Sequence, residues 1–242
     1  MAADGALSGL VTSTTSLSAV NERLIEVDRC KTRLLRMRKS ILTGSRLLVE
    51  EAKRGGFRGK WALLTATYRN EIEWQPKHVA ALMNCVGSFL RRRGVRPRFV
   101  WCLELTRALK PHYHVLVWLP LGMTLPKPDK RGWWAWGSTR IEWARKAVGY
   151  LAKYASKATP ETIKAIPKGA RTHGVGGLGS ESKRELRWWK SPERVRAFFG
   201  VAADIRKVVG GHVDACNGSF LRSPWHVHIG DRGRIYVWSD ES

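Results

Sequence analysis

Residues 111–118 combine two histidines with the β-branched and aromatic residues that are typical of a β-strand. Side chains two positions apart on a strand point to the same face, so His112 and His114 can bind one metal ion together. An acidic side chain, Glu104, lies in a second strand-like run, residues 99–105. The short link between the runs allows an antiparallel hairpin that brings Glu104 beside the histidines. The pattern therefore predicts a metal site with two imidazole ligands and one carboxylate ligand.

Two alternating histidines are a weak metal signal by themselves, because such a pair often marks only a polar face of a strand. The chain contains a second pair, His226 and His228, in another strand-like run. No acidic residue lies in a neighbouring strand-like run, and a glycine-containing turn at residues 230–233 leads into the next run, residues 234–238. We therefore predict a structural hairpin at the second pair.

Residues 143–158 carry apolar side chains at helical spacing, and a proline closes the segment. On this helix Tyr150 and Tyr154 lie one turn apart, at the edge of the apolar face. Lys153 and Lys157 form the neighbouring stripe. Two aromatic residues at this spacing are usually a packing pair. Beside ammonium groups, they can also present two phenols to one substrate.

The histidine pair with its upstream acidic residue and the downstream tyrosine helix together resemble the motifs of the HUH endonucleases. These enzymes are rolling-circle replication initiators of phages and plasmids, with relatives among relaxases and transposases. The doubled tyrosine resembles the two-tyrosine class found in filamentous and other single-stranded DNA phages. The family's first motif, a strand with a Thr-x-Thr pattern, is matched within residues 61–68. The order and spacing of the motifs agree across residues 57–160.

The resemblance implies a divalent cation, Mg²⁺ or Mn²⁺, that binds a DNA phosphate and withdraws charge from phosphorus. The implied metal ligands are His112, His114 and Glu104. The implied catalytic residues are Tyr150, Tyr154, Lys153 and Lys157. A tyrosine would attack as a phenolate and form a 5′-phosphotyrosine with a free 3′-hydroxyl. A free phenol has a pKa of about 10, so it needs the positive charge of the lysines and the metal. Two tyrosines would let one site nick DNA and later rejoin it.

The formal net charge is +23 and the isoelectric point is near 10.6, far beyond what solubility requires. Basic residues cluster in four segments: residues 33–39, 91–98, 127–131 and 183–196. Tryptophans interleave with basic residues at residues 131–134 and 187–190, which predicts platforms for base stacking. We expect single-stranded DNA with a replication origin as the partner. Because the sequence has no P-loop motif, strand separation and synthesis would require a helicase and a polymerase of the host.

The four cysteines, at positions 30, 85, 102 and 216, show no paired spacing, which is typical of free thiols in a reducing cytosol. Residues 1–10 lack the basic segment and long apolar core of a signal peptide, and no apolar run approaches the length of a membrane span. We therefore expect a cytoplasmic location in a bacterial host cell, without membrane contact.

Between residues 56 and 160 the predicted order is strand, helix, strand, strand, loop, helix. This order predicts an α+β fold with a central antiparallel sheet, like that of the HUH endonucleases, and a tyrosine helix on the metal-bearing face. Three segments are predicted: residues 1–55, basic, disordered to about residue 20 and then helical from residue 21 to residue 53; residues 56–160, the HUH endonuclease core; and residues 161–242, a basic extension with a loop at residues 174–179, a helix at residues 192–209 and a terminal hairpin.

Two other functions remain open. An HUH-type transposase or relaxase would use the same site, although a relaxase would be expected to carry larger additional domains. A non-enzymatic DNA-binding protein would explain the charge but would leave the histidines, the glutamate and the tyrosines without a chemical role. Metal-dependent nicking distinguishes an enzyme from a binding protein.

Overall fold

A computed structural model describes residues 24–106 and 108–239 of the protein. The disorder predicted for residues 1–20 concerns residues outside the described part. The elements in chain order are β1 (Ile25–Glu26), α1 (Arg29–Arg54), β2 (Gly59–Tyr68), α2 (Lys77–Arg91), β3 (Phe99–Leu105), β4 (Pro111–Pro120), β5 (Gly137–Ala144), α3 (Ala147–Lys157), α4 (Pro160–Ala165), β6 (His173–Gly176), α5 (Ser180–Lys190), α6 (Glu193–Phe198), β7 (Ile205–Val208), β8 (Gly211–Asp214), β9 (Phe220–Arg222), β10 (Trp225–Ile229), a 3-10 turn (Asp231–Gly233) and β11 (Ile235–Ser239).

The centre of the fold is a five-stranded sheet in the order β5-β2-β4-β3-β6, in which every neighbouring pair is antiparallel. This sheet confirms the predicted α+β class with a central antiparallel sheet. β4 lies in the middle of the sheet, and its side chains are buried continuously from residue 113 to residue 119. β5 lies at one edge, where exposed side chains predominate.

Different helices cover the two faces of the central sheet. α2 lies on the face that bears Tyr68, whose hydroxyl is 3.2 Å from Nδ1 of His78 on that helix. α1 and α3 contact each other, and both contact β3. Because directly paired residues share a face, the register places Thr65 and Thr67 of β2 beside His114 and His112 of β4. The predicted metal-bearing face is therefore the one that α3 covers.

Arg38 of α1 holds the C-terminal end of α3. Its Nε donates to the Ala155 carbonyl at 3.1 Å, and its Nη2 donates to the carbonyls of Ser156 at 3.1 Å and Ala158 at 2.7 Å. The last carbonyls of a helix have no partner within the helix, so a guanidinium is well suited to them. Arg38 thereby positions the turn of α3 that carries the predicted catalytic residues.

The helix predicted at residues 143–158 begins only at Ala147, because Trp143 and Ala144 still belong to β5. The prediction of a loop between β4 and that helix was therefore wrong. Trp143 pairs with Ala62 and Ala144 with Trp61 in the central sheet. Pairing with β2 over eight consecutive positions outweighs the helical spacing of two apolar residues.

Two predictions for the C-terminal part need correction. The helix predicted at residues 192–209 ends at Phe198, and Ile205–Val208 forms a strand that pairs with β8. Ile205 is buried in a small core with Val195, Phe199, Ala203 and Leu221, which favours a strand at this position. The loop predicted at residues 174–179 is in part β6, since Gly174 and Gly176 let the rings of Trp101 and Phe99 lie directly over the strand.

The chain divides into two compact units, of which residues 29–221 form one and the chain before residue 29 and after residue 221 forms the other. In the second unit β10 pairs with β11, which confirms the predicted terminal hairpin. Ile25, predicted to be helical, instead pairs with Val237 of β11. The division at residues 55 and 160 remains a prediction.

All four cysteines are free thiols. Among the helices formed by residues 24–106 and 108–239, none has the length and apolar character needed to span a membrane.

Candidate active site

The two histidines of β4 are oriented by two threonines of β2. Nδ1 of His112 lies 3.0 Å from Oγ1 of Thr67, and Nδ1 of His114 lies 3.3 Å from Oγ1 of Thr65. The strand register brings both pairs side by side, with the imidazole rings 4.6 Å apart. Each imidazole is thereby held by one nitrogen, so its Nε2 is directed away from the threonines. The sequence motif included this threonine pair, but its role as the partner of the histidines became visible only in the sheet.

Glu104 of β3 lies directly opposite His112 in the sheet, as the predicted hairpin requires. Its Oε2 accepts a hydrogen bond from Nε2 of His114 at 2.8 Å, and its Oε1 accepts one from Nζ of Lys157 at 2.9 Å. Burial favours the neutral acid, but these hydrogen bonds outweigh burial and lower the pKa of Glu104 to about 2. The carboxylate therefore stays charged at neutral pH and links β4 to α3.

Tyr154 of α3 stacks on His114, with ring centroids 3.5 Å apart and ring planes 10° apart. Nζ of Lys157 lies 5.3 Å from the centre of the same tyrosine ring. Burial raises the pKa of Tyr154, Glu104 raises it further, and the Lys157 ammonium opposes both effects. The predicted lysine effect on the phenol thus exists at Lys157, but the carboxylate and burial outweigh it in this arrangement.

The tyrosine–histidine stack lies in a confined part of the fold. His114 is only 4% exposed, whereas Tyr154 is half-buried and Lys157 is exposed. A cavity of about 60 Å³ adjoins Glu104, Tyr154 and Lys157, which is room for water molecules only. Burial and the repulsion of the neighbouring His114 lower the pKa of His112 to about 4, so this imidazole is neutral at pH 7 and keeps a lone pair for a ligand.

The cluster includes five of the seven predicted site residues: Glu104, His112, His114, Tyr154 and Lys157. Tyr150 is half-buried one helical turn before Tyr154, and within the described residues its side chain makes no hydrogen bond or ring contact. Lys153 is exposed, and it forms no ion pair with any described carboxylate. The structure thus separates the two tyrosines, which share one stripe in the sequence pattern.

The chemistry of the donor set is compatible with a divalent cation. Two imidazole nitrogens and one carboxylate face the same space, and a threonine hydroxyl can accept as well as donate, so each threonine can also hold a histidine whose Nε2 is a ligand. A metal would replace the hydrogen bond between His114 and Glu104. In the arrangement as it stands, the described residues include no group of three or more His, Cys, Asp or Glu that could hold a metal ion.

Most of the predicted tryptophan platforms are structural. Trp134 is 1% exposed, and its indole nitrogen donates to the Thr67 carbonyl, so it cannot stack on a base. Trp188 donates to the Phe199 carbonyl and contacts the C-terminal core. At the second histidine pair, the His226 ring stacks on Trp238 with centroids 5.2 Å apart, in agreement with the predicted structural hairpin.

Residues 61–159 match the model of a family of replication-associated proteins, the ORF2 family. The match covers about two-fifths of the chain, begins in β2 and ends just after α3, so it contains every residue of the site described above. No curated protein and no solved structure matches the chain. The match supports a role associated with replication, and over this segment the chain is similar to that family.

Proposed function

We propose that the protein is a replication initiation endonuclease that nicks single-stranded origin DNA through a 5′-phosphotyrosine and later rejoins the DNA during rolling-circle replication. The observation that carries this proposal is the stacking of Tyr154 on His114, next to the pair formed by Lys157 and Glu104. A phenol, two oriented imidazoles, a carboxylate and an ammonium group meet within the segment that matches replication-associated proteins. This combination is what phosphodiester transesterification by a tyrosine requires.

In the proposed reaction, the hydroxyl oxygen of Tyr154 attacks the phosphorus of the scissile phosphate. A bond forms between the phenol oxygen and phosphorus, and the bond between phosphorus and the 3′-oxygen breaks. The phenol loses its proton and the leaving 3′-oxygen gains one. Lys157 brings positive charge to the phosphate and to the phenol oxygen. Because one ester replaces another, the reaction needs no ATP.

His112, His114 and Glu104 would hold the Mg²⁺ or Mn²⁺ ion, which when bound withdraws charge from the phosphate and favours the phenolate. Thr65 and Thr67 keep the two imidazoles in the required orientation. The contact between Lys157 and Glu104 limits access to the carboxylate, so this lysine has to turn towards the DNA when a phosphate enters.

Tyr150 is the proposed second nucleophile, since it lies one turn from Tyr154 on the same helix. While one tyrosine holds the 5′ end, the other can attack the regenerated junction and release a joined circle. Lys153 follows Tyr150 at a spacing of three residues, just as Lys157 follows Tyr154. Each tyrosine would therefore have a lysine beside it.

The net charge of +23 supports single-stranded DNA and its replication origin as the partner. A host helicase and a host polymerase would act with the protein in the cytoplasm of a bacterial cell. A transposase or relaxase of the same superfamily would use the same residues but would join the DNA to a transposon end or a transfer strand.

The test uses the full chain, a single-stranded origin oligonucleotide and Mn²⁺, with mass spectrometry of the trapped covalent complex. Tyr150→Phe and Tyr154→Phe should each retain some initial cleavage but fail to complete nicking and rejoining, whereas the double variant should form no adduct. Phenylalanine keeps the ring, so packing is preserved. Tyr236→Phe, in the terminal hairpin, is the matched control and should behave as wild type. An adduct at Tyr68 or Tyr113, or adduct formation by the double variant, would refute the assignment.

A further inference from the structure

A second concave site lies on the same sheet face as the histidines, at the opposite end of the strands. There Trp61 of β2 pairs with Trp118 of β4, whereas Thr67 pairs with His112 at the other end. The cavity measures about 420 Å³, within the range of small-molecule sites. Its aromatic and basic lining, here called the aromatic cleft, consists of Phe57, Trp61, Trp118, Lys53, Arg145 and Lys146.

The end of α1 positions Phe57 in the aromatic cleft. The backbone N–H of Phe57 donates to the Ala52 carbonyl at 3.1 Å, and Gly56 has a φ of +62°, which only glycine adopts without strain. At Gly55 an added Cβ atom would lie 2.2 Å from the Phe57 ring, so the ring folds back over a position that must be glycine. The ring is nevertheless 48% exposed. A large aromatic surface is thus held in a defined orientation and left open to solvent.

Trp118 forms the floor of the aromatic cleft. Its side chain is 5% exposed, and its ring meets Phe57 edge to face, with centroids 6.0 Å apart. Gly59 makes room for this ring, because an added Cβ atom there would lie 2.6 Å from the indole and 2.4 Å from the Leu119 carbonyl oxygen. The two aromatic rings therefore depend on two glycines that flank the start of β2.

A buried arginine lies against both rings. Cζ of Arg98 is 4.6 Å from the centre of the Phe57 ring and 5.5 Å from that of Trp118, and the residue is only 6% exposed. Within the described chain its Nε has no hydrogen-bond partner and no carboxylate pairs with the guanidinium. The nearby Glu51 carboxylate instead accepts a hydrogen bond from the Gly179 backbone at 2.7 Å. A positive charge without a matching anion thus lies beneath the stacking surface.

Three further cations complete the rim: Lys53 at the end of α1, and Arg145 and Lys146 just before α3. None of the described residues that line the cavity is acidic. An aromatic surface with a positive rim matches a nucleotide, which presents a planar base and a negative phosphate. A purely apolar ligand would leave these charges without a partner.

We infer that the aromatic cleft binds one nucleotide of the single strand that enters the active site, with its base stacked on Phe57 and its phosphate at Arg145 and Lys146. This inference rests on the proposed nicking function. α3 connects the two places, because its first turn borders the cleft and its last turn carries Tyr154 and Lys157. Four strand residues separate His114 from Trp118, about 13 Å at strand spacing, a distance that a few nucleotides of an extended strand cover.

The test measures the binding of full-length protein to oligonucleotides that carry 2-aminopurine at successive positions, first in single-stranded DNA without an origin and then in covalently trapped origin DNA. Stacking quenches 2-aminopurine fluorescence. Wild type should quench one position strongly at a fixed distance from the covalent junction. Phe57→Ala should lose that quenching and bind DNA roughly 5- to 50-fold more weakly, while Phe57→Trp restores both. Phe220→Ala, at an equally exposed phenylalanine of β9, should match wild type.

A second variant examines the phosphate contacts. Arg145→Gln combined with Lys146→Gln should reduce the slope of log K against log salt by about one to two units. If Phe57→Ala binds and quenches like Phe220→Ala, the inference is wrong. If free deoxynucleoside monophosphates bind the cleft as tightly as the oligonucleotide, the site serves a free nucleotide and the inference is also wrong. The experiment without an origin needs no cleavage, so a failure of nicking alone would refute the proposed function and leave the stacking result intact.

Discussion

Replacement of Thr67 by valine should impair the proposed metal site more than any other substitution of similar size on β2. Among the described residues, Thr67 is the only hydrogen-bond partner of the His112 side chain. His114, by contrast, is held by Thr65, by Glu104 and by the Tyr154 ring. Valine keeps the branched shape that suits a strand, so the change removes little besides the hydroxyl.

The lost neutral hydrogen bond costs about 0.5–1.5 kcal/mol of stability, and His112 becomes free to rotate. Removal of such an outer partner of a ligating histidine typically lowers metal affinity or activity roughly 10- to 100-fold. We therefore expect Thr67→Val to nick about 10- to 100-fold more slowly at limiting Mn²⁺ and to recover in part at saturating Mn²⁺. Thr65→Val should lose only about threefold, because two other contacts hold His114.

The assay is single-turnover nicking of an origin oligonucleotide across a Mn²⁺ titration, with thermal unfolding measured in parallel. Thr139→Val is the matched control, because the Thr139 hydroxyl on β5 contacts Asp129 and the residue pairs with Ala66 on the opposite face of the sheet. It should change thermal stability without changing the metal dependence. Equal metal dependence in Thr67→Val and Thr139→Val, or a larger defect in Thr65→Val, would show that the threonines do not orient metal ligands.

Three further predictions concern stability and binding. Arg38→Met should lower the free energy of unfolding by about 2–3 kcal/mol, since three hydrogen bonds to the end of α3 are lost; an unchanged urea midpoint would contradict this role. Burial, followed by Lys190, Arg171, Arg33 and Arg36, lowers the pKa of His173 to about 4, so the unfolded chain binds more protons between pH 4 and 6.5. Stability should therefore be complete above pH 6.5 and fall as the pH decreases towards 4, with a shallower decrease in His173→Gln measured by urea denaturation at each pH. Affinity for single-stranded DNA should fall log-linearly with salt, with a slope steeper than about −3, and a slope near zero would exclude a phosphate-dominated interface.

Local sequence was sufficient for the elements that carry the chemistry. The alternation of His112 and His114 and the short link back to Glu104 predicted a hairpin, and β3 and β4 form it with Glu104 opposite His112. Both signals are local, because side-chain direction alternates along any strand and a short connection leaves little choice of topology. The tyrosine helix was also predicted, although its first residues belong to β5.

The missed elements depend on partners that are distant in the sequence. β5 exists because it pairs with β2, about 75 residues earlier, and β6 is a strand because it pairs with β3. Isolated segments such as residues 137–144 carry only weak strand propensity, and the hydrogen bonds that decide their conformation come from the sheet. Similarly, the tryptophans at residues 131–134 looked available for stacking, whereas Trp134 is almost completely buried.

The sequence alone determined which residue types the site contains, since metal ligands, phenols and ammonium groups are recognisable by their chemistry and spacing. Only the tertiary structure distinguished Tyr154 from Tyr150 and Lys157 from Lys153, because both pairs repeat at the same helical spacing. The rotation of α3 about its own axis is set by burial of Leu151 and Ala155 and by the contacts with α1. That rotation places Tyr154 on His114, and no pattern within the helix itself specifies it.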